Sequence, residues 1–184
     1  GPLKPTPVAP AAMGGCRVLS FLLGASPVLS MSDGLPVVPR YLMGIAFGFG
    51  VYIMGITTMA RDEATGGHPV NLRTGFIVTL IGALMLAFAP GLATLAERAS
   101  WHVGPNRQFA FLISLIVLPV AIRGLNAQFQ PDRATIGNAI RAGILTIIPL
   151  AASFAFLGAG PGWGLAVFAL VVPAFLLAMR LRVT

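Results

Sequence analysis

Residues 37–63 read VVPRYLMGIAFGFGVYIMGITTMARDE: about twenty apolar residues run without an acid and end on Arg61, Asp62 and Glu63. A run of that length reaches across a hydrocarbon core of roughly 30 Å if it is helical. The acids at its end are conspicuous, since the whole sequence holds only five: Asp33, Asp62, Glu63, Glu97 and Asp132. A charge at bilayer depth costs at least roughly 2.5 kcal/mol, so the cluster belongs at an interface or on a polar cavity.

The rest of the chain repeats the pattern. Of its 184 residues, 57% are hydrophobic and 9% charged, and the mean hydropathy is +0.89. A soluble domain of this size cannot cover so much apolar surface, so the class is a polytopic membrane protein. Six apolar segments are predicted, at Pro10–Ser30, Val37–Met59, Arg73–Ala96, Gln108–Gly124, Ile136–Leu157 and Trp163–Met179. Backbone in lipid must satisfy its own hydrogen bonds, and the runs lack the alternation of barrel strands. The expected fold is an all-α transmembrane bundle of about six helices. Gly44, Gly48, Gly50 and Gly55 recur along the second segment. Such spacing lets helix backbones approach closely, or alternatively makes room for a ligand or lipid tail.

The net charge of +7 comes from Lys and Arg scattered singly between apolar runs, a pattern for anionic headgroups and not for nucleic acid. Lys4, Arg17, Arg61, Arg73, Arg123, Arg133, Arg141, Arg180 and Arg182 fall on one predicted side, against Arg40, Arg98 and Arg107 on the other. The positive-inside rule makes the richer side cytoplasmic. The expected location is the cell membrane, multi-pass, with both ends of this chain cytoplasmic. The single Cys16 excludes an internal disulfide and reads as a small packing residue. Position 1 is Gly, and no signal peptide is visible. The chain is therefore expected to be a piece whose natural start lies upstream.

Two carboxylates at the mouth of a bundle can hold Mg²⁺, a hard cation that takes oxygen ligands and shares them with a substrate phosphate. Asp62 and Glu63 are the candidates, with Lys4, Arg17 and Arg61 on the same predicted side as phosphate contacts. A solvated loop with a local ion pair is the plainer alternative for the cluster. Arg17 could snorkel to the interface or point inward and meet an anion. His68 and His102 lack a second His at metal-ligand spacing, and no triad, zincin, Walker or Rossmann pattern is present.

The stretch Leu3-Lys4-Pro5-Thr6-Pro7-Val8-Ala9-Pro10 followed by Met13-Gly14-Gly15-Cys16-Arg17 resembles the opening of the second half of UbiA-type polyprenyltransferases. Tyr52 to Ala64, Ala139 to Leu145 and the ending Met179 to Thr184 are similar to the EboC-like branch of that family. The resemblance covers residues 1–184 and implies the C-terminal part of a single UbiA-like domain, its upstream helices absent. It further implies intramembrane transfer of a prenyl group from an isoprenoid diphosphate to a small-molecule acceptor, with Mg²⁺ on Asp62 and Glu63, the diphosphate on Lys4 and Arg61, and Arg17 as a supporting charge at the substrate site. The first acidic motif, Asn-x-x-x-Asp-x-x-x-Asp, occurs nowhere, and Ala60 stands where better-known members carry an aspartate. This piece alone is therefore expected to be inactive. A non-catalytic family-derived membrane protein and a small transporter subunit are the alternatives.

Overall fold

The computed structural model describes residues 8–32, 35–61, 69–102 and 107–180. The expected all-α bundle is what these residues form. In chain order they build α1 (Val8–Ala25), α2 (Arg40–Ala60), α3 (Pro69–Phe88), the short α4 (Leu95–Ala99), α5 (Arg107–Phe129), α6 (Arg133–Ala159), α7 (Pro161–Ala169) and α8 (Val171–Arg180). A small antiparallel ladder, β1 (Ser30–Ser32) on β2 (Leu35–Val37), joins α1 to α2.

Five helices are long and apolar enough to cross a membrane: Val8–Ala25, Arg40–Ala60, Pro69–Leu92, Arg107–Phe129 and Arg133–Ala159. The outward surface fits that reading, because large apolar side chains such as Leu23, Ile81, Phe111 and Leu115 stand exposed along them. On a soluble monomer an apolar patch this wide is rare, whereas lipid contact requires it. Helix α2 is central and packs on α1, α3 and α6, while α5 bridges α3 and α6.

Proline moves several predicted boundaries. The first segment, expected to run to Ser30, leaves α-helix at Ala25 and tightens into a 3₁₀ turn over Ser26–Val28 with Pro27 inside it. Ser26 closes the end by donating its hydroxyl to the Leu23 carbonyl at 2.7 Å. The third segment, expected to run to Ala96, stops at Pro90-Gly91 in a second 3₁₀ turn, Ala89–Leu92. The sixth, expected as one helix over Trp163–Met179, is two short helices broken at Leu170. Pro173 explains the break: it has no N–H for the Ala169 carbonyl and its ring crowds that carbonyl. Both halves still lie along α6.

The loop ends are capped in ways the residue types require. Thr94 and Glu97 form a capping box at the start of α4, with the Glu97 backbone donating to Thr94 Oγ1 at 3.4 Å and the Thr94 backbone to Glu97 Oε2 at 2.6 Å. These hydrogen bonds hold the Glu97 carboxyl below its ordinary range. Asp132 caps α6 by accepting from the Thr135 backbone at 3.2 Å, and hydrogen bonding to Thr135 lowers its pKa. Between α6 and α7, Gly160 has φ +94° and Pro161 follows as the first helical residue. A side chain at Gly160 would be strained, and its Cβ would meet the His102 ring at 3.0 Å.

Candidate functional site

Three helices wall an open cavity of about 500 Å³. From α2 it takes Tyr41, Ile45, Phe49 and Ile53, a stripe at four-residue spacing that puts all four on one helical face. Ile147, Ala151 and Phe154 come from α6. Arg17, Ser20 and Phe21 come from α1. Aromatic rings brace the walls: Phe21 stacks on Phe49 at 6.1 Å between centroids, and Phe49 meets Phe154 edge-on at 5.9 Å. Trp101, from the segment after α4, closes one end by lying edge-on to Tyr41 at 5.1 Å. Beside it, His102 Nδ1 lies 3.2 Å from the Gly158 carbonyl oxygen, which ties this segment to the end of α6.

Helix α1 comes closest to α2 at Gly14 and Gly50, and the cavity opens beyond that level. Gly14 and Gly50 face each other so closely that a Cβ on Gly14 would sit 2.6 Å from the Gly50 carbonyl oxygen. Beyond that contact, toward Ala25 and Arg40, aromatic and branched side chains stand between the helices and leave the chamber.

Of the residues predicted for the site, the cavity takes up one. Arg17 is exposed at its wall, and it makes no hydrogen bond or ion pair among the described residues. It is the tenth of the 18 residues of α1, so it lies about 13 Å from either end of the helix at 1.5 Å per residue. Arg61 instead caps the far end of α2, half-buried, its backbone N–H donating to the Thr58 carbonyl at 3.4 Å. Val18, next to Arg17, touches Gly50, and Gly50 is eleven residues before Arg61, about 16 Å along the axis. The two arginines are therefore not brought onto one small anion.

Lys4, Asp62, Glu63 and His68 lie outside the described residues. Among the described residues, no group of three or more His, Cys, Asp or Glu comes together. The described side chains therefore supply no donor set for Mg²⁺, and the two expected ligands, Asp62 and Glu63, are outside them. Cys16, expected to pack, is exposed on α1.

The wall residues Tyr41, Phe49, Trp101 and Phe154 were not legible as site residues. Their one signal is the four-residue stripe on α2, which equally suits a face packed against another helix. The buried Tyr52 was missed for the same reason: its hydroxyl donates to the Gly143 carbonyl of α6 at 3.1 Å. Compared with family models, curated proteins and solved structures, the chain matches none.

Proposed function

We propose that this chain belongs to a multi-pass protein of the cell membrane that handles a long apolar chain inside the bilayer, and that the reaction served is prenyl transfer from an isoprenoid diphosphate. The observation that carries the reading is the cavity of about 500 Å³ walled by α1, α2 and α6. Its size falls within the roughly 300–1,000 Å³ of ordinary ligand sites. An isoprenoid tail fits its largely aromatic and aliphatic lining. The residue resemblance to UbiA-type enzymes supplies the rest. In that reading Asp62 and Glu63 hold Mg²⁺, Lys4 and Arg61 hold the diphosphate, and a small-molecule acceptor attacks the prenyl carbon. When bound, the ion would neutralise charge on the departing diphosphate.

Both ends of the chain are cytoplasmic in this proposal, with α7 and α8 crossing together as one kinked span. A cysteine introduced at Gly66, in a Cys16→Ser background, should react only with reagents supplied from the cytoplasmic side. Periplasmic labelling there overturns the orientation.

The test of the chemistry is prenyl transfer by the protein in its native membrane. The Asp62→Ala, Glu63→Ala double variant should lose at least about a hundredfold in turnover, the scale of losing positioned charge at a leaving group. Transfer that survives this variant overturns the metal assignment. A second reading, a non-catalytic protein that only binds the chain, is favoured by one observation: the cation on the cavity, Arg17, is about three helical turns from Arg61.

A further inference from the structure

Arg17 is in a costly place for a cation. It sits at mid-helix in a membrane-length segment, beyond the reach of a simple snorkel to either end. The acids among the described residues are engaged elsewhere, Glu97 with Thr94 and Asp132 with Thr135. Among the described residues it is also the one charged side chain on the cavity wall. A cation held at such depth implies an anion that arrives with a ligand.

We propose that the cavity binds a single-chain amphiphile with one anionic group, a carboxylate or a phosphate, seated on Arg17. Its hydrocarbon chain lies between Phe21, Phe49 and Phe154 and ends against Trp101. The proposal rests on the reading of the cavity as an apolar-chain chamber, and it adds the headgroup, the orientation and the selectivity. A guanidinium presents a planar fork that matches either oxyanion in two hydrogen bonds. One fork neutralises one charge. The additional charges of a diphosphate would lie at mid-depth without partners among the described residues, so the seat on Arg17 favours monoanions, and a prenyl diphosphate held at Lys4 and Arg61 would send only its tail into the chamber. Arg17 and Ser20 are both exposed on α1, which gives the headgroup lateral entry from the bilayer.

Trp101 supplies the readout, because the sequence has two tryptophans and the other, Trp163, is exposed on α7 and does not line the cavity. The full chain carrying Trp163→Phe is placed in phosphatidylcholine nanodiscs at alkaline pH. Its fluorescence is then titrated with palmitate, methyl hexadecyl phosphate, a phosphodiester that stays a monoanion at this pH, and hexadecanol, each brominated near the methyl end, and with palmitate brominated beside the carboxylate. Both anions should quench Trp101 saturably at least tenfold more tightly than the alcohol, the tighter of the two naming the headgroup. Methyl-end bromines should quench more than carboxylate-end bromines. Arg17→Gln should weaken the anions about tenfold and leave the alcohol unchanged, while Arg17→Lys keeps most of the affinity. Equal binding of anion and alcohol, unaltered by Arg17→Gln, overturns the anion seat and leaves the chamber standing. Stronger quenching from the carboxylate-end bromines reverses the orientation and overturns the proposal. Absence of saturable quenching by every probe overturns the chamber reading as well.

Discussion

Along the face of α2 that meets α3, backbone lies against backbone: a Cβ on Gly75 would sit 2.7 Å from the Gly55 carbonyl oxygen, and one on Gly82 would sit 2.6 Å from Tyr52 Cα. Along the face that meets α1 and α6, the same helix presents Tyr41, Ile45, Phe49 and Ile53 to a cavity. Lipid tails are as apolar as these side chains, so helix association in a bilayer draws on close packing and interhelical polar contacts. The α3 side uses close packing to the full, and Thr79, wholly buried there, returns its hydroxyl to the Gly75 carbonyl at 2.8 Å. The α1 and α6 side gives up packing to keep a void. One face holds the bundle together and the other is available to bind.

The largest effect expected from this contrast is at the seam. Gly55→Val should destabilise by about 3 kcal/mol or more, since the new side chain meets backbone that cannot yield; a helicity melt in detergent measures it. A loss below about 1 kcal/mol would show that the α2–α3 contact is looser than the geometry. On the cavity side no such loss is expected. Arg17→Leu should leave the unliganded protein at least as stable, because it removes from mid-segment a charge that has no partner among the described residues. Destabilisation by this substitution would mean that Arg17 has a partner within the fold.

Tyr52→Phe probes the hydroxyl that links α2 to α6. It should cost about 1 kcal/mol, the usual scale for an interhelical hydrogen bond in lipid. Ala151→Phe, which points a ring into the void, should shift the melt by less than about 1 kcal/mol while abolishing saturable quenching of Trp101 by brominated chains. A collapse of the fold by Ala151→Phe would erase the distinction between the two faces.

The smallest effect concerns the cap over the cavity's end. The Glu97 carboxyl is held low in the folded state by its hydrogen bonds to Thr94. Its contribution is therefore present above the unfolded glutamate value of about 4.3 and is lost as pH falls below that through the folded pKa. Trp101 follows this box by four residues, and its backbone N–H donates to the Arg98 carbonyl at 3.1 Å. Its emission should carry a step that appears only on acidification below about pH 4.3, with Glu97→Gln removing that step.

Membrane class, all-α architecture and the approximate places of five spans were legible because they follow from local facts: apolar run length, backbone self-sufficiency in lipid, and Gly-Pro punctuation. Boundaries slipped where proline acted at a distance along the chain, as Pro173 does on Ala169. Mid-segment Arg17 was visible as an anomaly, since a lone cation inside an apolar run is costly wherever the helix goes. The sequence could not say which neighbour each face of α2 would meet. Its glycines form what looks like one stripe, yet Gly44, Gly48 and Gly55 turn to α3 and its 3₁₀ extension while Gly50 turns to α1. The stripe from Tyr41 to Ile53 reads the same whether it packs or lines a void. Only the placement of α1 and α6 settles that, because a cavity is a property of the distance between helices, and no single helix carries that distance in its own residues.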